Sequence, residues 1–215
     1  GSNIRFLNAA GELEFAHTTS WGVSTRLIGG MIMTHGDDNG LRVPPRVSPK
    51  HVVILPVVPK PETQDEVFRY ADELAQTLSA LSYHGVPLRV HVDKRDLRGG
   101  EKNWQWIKKG ISPRIEVGPR DVSSRQAVAY RRDQTNREKH FVAAAELAEK
   151  VILFLDEIQA SYFKQAQNFR AENIETNISN WEDFKKYFTP KNSEKPEIHG
   201  GFVKAKWSGT AQSAA

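Results

Sequence analysis

The amino-acid sequence predicts an α/β fold in which a mixed, mostly parallel sheet is flanked by helices. Residues 51–58 form a short, almost continuous apolar run flanked by prolines, which is typical of a strand buried on both faces. From Val67 to Leu81 apolar residues recur at helical spacing, and a second strand follows at 88–92. A strand, a helix and a strand in this order form a right-handed crossover, so these two strands should be parallel.

The helix of this crossover carries sequence signals at both ends. Thr63-Gln-Asp-Glu66 fits a capping box, in which the first and last side chains bond to main-chain N–H groups. Gly85 is expected to end the helix, because glycine readily adopts the left-handed conformation that follows a helix.

The rest of this unit is predicted from shorter patterns. A short helix is expected from Glu101 to Lys109, a third strand at 113–117, a polar turn at 118–126 and an antiparallel fourth strand at 127–131. A long helix is then predicted from His140 to Arg170. Its buried stripe would consist of Phe141, Ala145, Ala148, Ile152 and Leu155.

A separate segment precedes the sheet. Residues 12–22 predict a strand, and Ser24-Thr25 predict the cap of a helix that runs from Arg26 to Thr34. The prolines at 44, 45 and 49 indicate that residues 36–50 are a linker.

The tail beyond residue 171 is polar. It predicts a short helix at 179–188, a linker at 191–197 and a strand at 200–207.

Composition indicates a globular chain with one strongly basic segment. Of the 215 residues, 39% are hydrophobic and 26% charged, and no apolar run approaches the roughly 18 residues that a membrane span needs. There is no cysteine, so disulfides and thiolate metal sites are excluded within this sequence. Residues 89–140 carry fourteen Lys and Arg against seven Asp and Glu. Such an excess suits a polyanion, although a solvated basic surface is an equally good explanation.

The junction between the first strand and helix has the chemistry of an anion site. Ser24, Thr25 and Arg26 combine two hydroxyls and a guanidinium with the N–H groups of a helix N-terminus. The alternative is an ordinary capped helix with a solvated arginine. His35, Asp37 and Asp38 are expected to form only a turn, because no further metal ligand follows at a suitable spacing.

The same stretch resembles the third signature motif of the prolyl-tRNA synthetase family, a class II aminoacyl-tRNA synthetase. The matching runs are Ser20-Trp-Gly22, Ser24-Thr-Arg26, Ile28-Gly29, Met33, His35-Gly-Asp-Asp-Asn-Gly-Leu41 and Pro44-Pro45. The resemblance implies that Arg26 and Ser24 bind ATP, accompanied by Mg²⁺, and that Ser20 and Gly22 line a proline pocket. Thr18 stands where many members have glutamine.

Residues 51–165 resemble the anticodon-binding domain of the synthetases for proline, threonine, histidine and glycine. The resemblance is carried by 90–96, Gly100-Glu-Lys102, 106–110 and Pro113-Arg-Ile-Glu-Val-Gly-Pro-Arg-Asp121. It implies that Arg114, Arg120 and Asp121 contact the anticodon, with Lys102 as a candidate phosphate contact.

The chemistry of these residue types agrees with that role. Guanine presents O6 and N7 acceptors to a forked arginine, and its N1–H and N2–H groups can donate to a carboxylate. Trp106 could stack on a base, but a buried helix-face aromatic is the more ordinary explanation. Asp121 could instead pair with Arg120 or cap a turn.

Two departures from the family pattern are visible. Ile107 stands where some members have a guanine-reading glutamate, and it cannot form a hydrogen bond. Ser208 stands where members with a zinc-bearing module have cysteine, so no zinc is expected here.

These observations together predict a C-terminal part of a cytoplasmic prolyl-tRNA synthetase. Residues 3–46 would be a remnant of the catalytic domain, 47–165 the anticodon-binding domain and 166–215 the start of a C-terminal module. The first two family motifs are not in this sequence, so the chain is expected to bind the anticodon loop of proline tRNA without being catalytically complete. The full-length enzyme would be a homodimer that uses ATP, and neither a bound cofactor nor a membrane is expected for this part.

The alternatives are a stand-alone RNA-binding or regulatory module with the same fold, and a protein-interaction domain whose basic face is incidental.

Overall fold

A computed structural model describes residues 3–134, 138–190, 192, 194, 201–206 and 209. The α-helices are α1 Arg26–His35, α2 Gln64–Ser79, α3 Gly99–Lys108, α4 Pro119–Ser124, α5 Leu147–Glu172 and α6 Trp181–Phe188. The strands are β1 Arg5–Leu7, β2 Leu13–Phe15, β3 Val52–Pro56, β4 Ser82–Tyr83, β5 Val86–Pro87, β6 Val90–Val92, β7 Arg114–Val117, β8 Gln126–Tyr130, β9 His140–Ala143, β10 Ile174–Glu175 and β11 Phe202–Val203.

The centre of the molecule is a five-stranded sheet in the order β6-β3-β7-β8-β9. Strand β3 is parallel to both β6 and β7, while β8 is antiparallel to β7 and β9. The predicted crossover and the predicted antiparallel fourth strand are therefore confirmed. All five residues of β3 are buried, as the continuous apolar run predicted.

Helices cover both faces of this sheet. Because successive side chains of a strand point to opposite faces, Val52 and Ile54 pack in a large core with α2 and α5. Val53 and Leu55 face the other way, where they form a smaller core with Trp106 of α3. The α/β fold class is confirmed.

The helix caps expected from the sequence are not formed. Thr25 precedes α1 without a side-chain cap bond, and the Thr63 hydroxyl donates to the Lys60 carbonyl at 2.9 Å. The reason in the second case is a 3-10 turn over Pro61–Thr63, which leads directly into α2 and leaves no extended capping residue. Gly85 does not end α2, which stops at Ser79. It has φ +80° beside His84 with φ +47°, and the two residues form the turn of the β4–β5 hairpin.

Three other element predictions were wrong in extent. The strand expected over 12–22 is limited to β2, which pairs with β1, and residues 16–24 lack a regular element. The predicted polar turn 118–126 contains α4. The long helix does not begin at His140, because residues 140–143 form the edge strand β9.

The reason for β9 is visible in its side chains. Val142 is buried while Phe141 is 65% exposed, which is the two-residue period of a strand. Phe141 and Ala145 are consequently not part of the buried stripe of α5, which starts at Leu147.

The tail agrees in part with the prediction. Helix α6 lies where a helix was expected, and the Asn180 side chain caps it by accepting from the Asp183 N–H at 2.9 Å. Strand β11 lies within the predicted strand and pairs in parallel with β10. The predicted linker at 191–197 lies outside the described residues apart from 192 and 194, and Ser208 lies outside them entirely.

Candidate nucleic-acid interface

A cleft of about 400 Å³ opens where β3 and β7 end. Parallel strands bring their carboxyl ends to one edge of a sheet, and this edge is where ligands usually bind in open α/β folds. Helix α4 follows β7 immediately and forms one wall of the cleft. The polar residues that line it are Glu116, Arg120, Asp121, Tyr130 and Lys139.

Arg120 and Asp121, two of the residues predicted to contact the anticodon, both line the cleft. Asp121 is held in place, since its carboxylate accepts from the Gly118 N–H at 2.9 Å and from the Gln126 side chain at 3.4 Å. The first of these bonds caps α4, so the alternative role of Asp121 as a cap is realised. Arg120 is exposed, and its side chain makes no hydrogen bond or ion pair with a described residue. A flexible cation beside an oriented carboxylate can offer both donors and acceptors to a ligand.

Arg114 lies under this surface and is completely buried. Its Nε donates to the Asn103 side chain of α3 at 2.8 Å, and its guanidinium lies 6.0 Å from the centre of the Tyr130 ring. Both terminal nitrogens are buried and have no hydrogen-bond partner among the described residues. Burial, followed by the charge of Arg132, lowers the pKa of Arg114 to about 10. The guanidinium is therefore still charged at neutral pH, and its two terminal nitrogens are buried without a described hydrogen-bond partner.

Glu116 and Tyr130 share this face of the sheet with Arg114. Residues two apart on a strand face the same way, and Tyr130 lies directly opposite Arg114 in the β7–β8 pairing. Burial raises the pKa of Glu116. Burial and then the Glu116 charge raise the pKa of Tyr130 to about 12, so its hydroxyl keeps its proton at neutral pH. Half-buried Glu116 and buried Tyr130 thus line the cleft, and the buried cation of Arg114 lies on the same face of the sheet.

Lys102 does not lie on the surface expected for a phosphate contact. It is 5% exposed, and its ammonium group donates to the main-chain carbonyls of Pro56 at 3.0 Å and Asp93 at 3.4 Å. Burial lowers its pKa. The lysine is drawn inward because α3 packs across the ends of β3 and β6, where these carbonyls need donors. Its role in the structure is to join α3 to the sheet.

The two tryptophans of α3 differ in environment. Trp106 is 5% exposed, and its indole N–H donates to the buried Asp93 carboxylate at 2.7 Å. Asp93 also accepts from Arg95, which holds the pKa of that carboxyl well below its usual range. The structural explanation for Trp106 is therefore the correct one. Trp104 is 44% exposed, and a helix advances about 100° per residue, so it lies on the flank of α3 next to Asn103.

Ile107 is 5% exposed and packs inside the molecule. It offers no polar group at the position where some family members read a guanine. Trp104, which lies in the basic segment 89–140 but received no role from the sequence, is the exposed aromatic side chain of this helix. Helical spacing could have found it, because positions 102, 103, 106 and 107 together define the buried side of α3.

The residues expected to bind ATP and proline are all exposed. Arg26 is the first residue of α1, and its side chain has no hydrogen bond or ion pair with any described residue. Ser20, Gly22 and Ser24 precede the helix in a segment without regular structure, and Trp21 there is 95% exposed. Val23, Leu27, Ile28 and Met33 are exposed as well, and an exposed apolar patch of this kind usually marks an interaction surface.

The described residues contain no group of three or more His, Asp or Glu side chains arranged to hold a metal ion. They also contain no helix that is both long and apolar enough to cross a membrane.

Comparison with known proteins gives this cleft its context. Residues 51–153 match the family described as "Anticodon binding domain". The chain is 52% identical over 209 residues to a proline–tRNA ligase of Protochlamydia amoebophila, which covers 97% of this chain and 41% of that protein. It is 46% identical to proline–tRNA ligase 2 of Anaeromyxobacter dehalogenans, with the same shares covered. A proline–tRNA ligase of Bdellovibrio bacteriovorus is 46% identical over 206 residues, or 96% of this chain and 40% of that protein.

The chain belongs to the prolyl-tRNA synthetase family. It contains an anticodon-binding domain, so the domain type that the sequence motifs predicted is confirmed. The cleft bounded by β7, α4 and β8 lies within the matched residues, as do Arg114, Arg120 and Asp121. The chain spans about 41% of the length of the prolyl-tRNA synthetases it matches.

Proposed function

We propose that this chain is the C-terminal part of a proline–tRNA ligase and binds the anticodon loop of proline tRNA in the cleft of the anticodon-binding domain. The observation that carries the proposal is that Arg120 and Asp121 both line the cleft, while the guanidinium of Arg114 is buried in the same domain with its terminal nitrogens unpaired. A buried charge without partners is costly, and a ligand's acceptors would satisfy it.

The chemistry of the cleft suits guanine, which proline anticodons contain twice. Unpaired bases in a loop can be splayed out and read on their edges. Arg120, or Arg114 from below, would donate to O6 and N7, and Asp121 would accept from N1–H and N2–H. The exposed Trp104 would stack on a neighbouring base, since aromatic side chains commonly form such platforms. Lys102 is left out of this surface because it is buried.

We also propose roles for residues outside the cleft, on the basis of family membership. In the full-length ligase, Arg26 and Ser24 would bind the phosphates of ATP, which Mg²⁺ accompanies, and Ser20 and Gly22 would line the proline pocket. Fixed cations at a helix N-terminus would stabilise the charge that develops as pyrophosphate leaves. The full-length ligase would be a homodimer that acts in the cytoplasm. Residues 3–46, 47–165 and 166–215 would be its three regions, with α5 running across the second boundary.

Binding of proline tRNA to the purified chain tests the anticodon proposal. Arg120→Ala should weaken binding by about 1–3 kcal/mol, the cost of a lost base contact. Arg69→Ala is the matched control, because the Arg69 side chain is also exposed and has no described partner but lies on α2, across the sheet from α3. A non-cognate tRNA that binds as well as proline tRNA would contradict base reading and would favour a general RNA-binding module.

Catalytic incompleteness has its own test. The chain alone should not support proline-dependent exchange of pyrophosphate into ATP, because the first two family motifs are missing from its sequence. Exchange above a buffer control would contradict this assignment without affecting the anticodon proposal.

A further inference from the structure

The loop at residues 37–43, which joins α1 to the anticodon-binding domain, is fixed to that domain by its main chain. The Leu41 N–H donates to the Lys108 carbonyl at 2.9 Å, and the Val43 N–H donates to the Gly110 carbonyl at 3.2 Å. Both carbonyls lie at the C-terminal end of α3. These residues were predicted to be part of a linker, but they are docked on the domain.

Two glycines make this close approach possible. Gly40 has φ +123°, and a Cβ atom there would lie 2.7 Å from the main chain of Lys108. Gly110 has φ +72°, and a Cβ atom there would lie 2.6 Å from the main chain of Leu41. No other residue fits at either position without displacing the loop from α3.

A buried arginine holds the start of the same loop. Both terminal nitrogens of Arg132 donate to the two carboxylate oxygens of Asp37, one of them at 2.7 Å. Arg132 is 3% exposed, and its own N–H is fixed by the Ser112 hydroxyl at 2.8 Å. The hydrogen bond from Arg132 is the main reason that the pKa of Asp37 is lowered. Such a two-pronged, charged contact is both strong and directional.

This ion pair lies between the two functional regions of the chain. Arg132 follows Tyr130 of the cleft by two residues, and its charge contributes to the lowered pKa of the buried Arg114. Asp37 follows the end of α1 by two residues, and α1 begins with Arg26. An α-helix of ten residues is a rigid rod of about 15 Å, so a shift at Asp37 would be carried to Arg26.

We propose that Asp37 and Arg132 are positioning residues that couple RNA binding in the cleft to the placement of α1 and Arg26. The inference rests on the proposed function, since it assumes RNA in the cleft and a nucleotide at Arg26. Contact of RNA with Arg114 or Tyr130 changes the surroundings of Arg132, and Asp37 passes the change to α1. Coupling of this kind is reciprocal, so a ligand at α1 also alters the affinity of the cleft for RNA.

Hydrogen exchange of the 215-residue chain, with and without proline tRNA, tests the coupling. In the unmodified chain, RNA should slow exchange both in 114–131 and in 26–43. Asp37→Asn keeps the turn in which this side chain accepts from the Asn39 N–H at 2.9 Å, but it removes the charge that binds Arg132. In this variant RNA should still protect 114–131, while the added protection of 26–43 should be lost.

Asp38→Asn is the control, because Asp38 is the next residue, is exposed and has no described partner. It makes the same change in charge and should behave like the unmodified chain. The coupling is overturned if RNA protects 114–131 but not 26–43 in the unmodified chain, or if Asp37→Asn retains the effect on 26–43. An unmodified chain in which proline tRNA leaves 114–131 unprotected would overturn the proposed function, and the coupling with it.

Kinetics of the full-length ligase separate positioning from a purely structural role. Asp37→Asn should lower kcat for charging proline tRNA by about 5- to 150-fold, the usual range of coupling between sites, and leave KM for the tRNA nearly unchanged. Pyrophosphate exchange without tRNA should be unaffected. The double variant Asp37→Arg with Arg132→Asp should restore part of kcat. Equal losses in exchange and in charging would mean that the contact only stabilises the fold, and would overturn the proposal.

Discussion

The Nε of Arg114 donates a hydrogen bond to the side chain of Asn103 at 2.8 Å, while both terminal nitrogens of the same guanidinium are buried without a described partner. The hydrogen bond to Asn103 joins β7 to α3. The unpaired terminal nitrogens mean that a buried, incompletely bonded cation destabilises the folded chain. A group that costs stability in the free chain and meets a ligand in the complex is a common feature of binding sites.

Arg114→Met should therefore separate stability from binding. The substitution replaces the buried cation by an apolar side chain of similar length, so the free energy of unfolding should stay within about 1 kcal/mol or rise. Affinity for proline tRNA should fall by about 1–3 kcal/mol. Urea denaturation and a filter-binding titration measure the two quantities. A loss of stability of about 3 kcal/mol or more would show that Arg114 is structural.

Asp93→Ala, unlike Arg114→Met, should lower the free energy of unfolding. Asp93 is fully buried and accepts from Trp106 and from Arg95, both at 2.7 Å. Its removal leaves these donors unpaired and should cost about 3 kcal/mol of unfolding free energy, the lower end for breaking a buried ion pair, because Arg95 is partly exposed. Urea denaturation measures the loss. Asp96→Ala, at an exposed carboxylate nearby, should change stability by less than about 0.5 kcal/mol, and equal losses in both variants would refute the role of Asp93.

Trp104→Ala should weaken RNA binding without affecting the fold. The side chain is 44% exposed on the flank of α3 beside Asn103, and loss of one aromatic–base stack costs about 1–3 kcal/mol. Trp181→Ala removes another exposed tryptophan, at 66% exposure on α6, and serves as the control in the same RNA titration. Stacking at Trp104 is excluded if the two variants bind proline tRNA equally well.

His51 should make stability depend on pH between about 6.5 and 4. It is fully buried with both ring nitrogens facing donors of Arg89. Burial, and then the Arg89 charge, lowers its pKa from 6.5 to about 4. In this interval the unfolded chain binds the proton and the folded chain does not, so stability falls as pH falls, by up to about 3 kcal/mol.

His51→Asn tests this explanation, because the amide oxygen can replace the ring nitrogen that accepts from the Arg89 N–H but cannot be protonated in this range. Thermal unfolding between pH 7 and pH 4.5 should lose most of its pH dependence in the variant. If the pH dependence of stability is unchanged in the variant, it arises from other groups whose pKa is lowered, such as His91 or His35.

Sequence patterns were sufficient where an element has its own period or composition. Strand β3 was predicted because every one of its residues is apolar, and α2 because its buried positions recur at helical spacing. Arg120 and Asp121 line one cleft because they are adjacent in sequence directly after a strand, and their contact with the anticodon stays a prediction. Short elements were missed: α4 has six residues and β9 has four, so neither repeats its pattern often enough to be distinguished from a turn or a helix start.

The amino-acid sequence by itself determined the α/β class, the family and the basic residues from which a binding surface could be built. Only the tertiary structure decided which of those residues reach that surface. Lys102 and Arg114 were turned inward, while Trp104 and Arg120 remain outside, and the expected linker is held by Arg132 from far along the chain. Burial and pairing depend on which elements pack together in space, and a local pattern of charges contains no information about the side chains that it will meet.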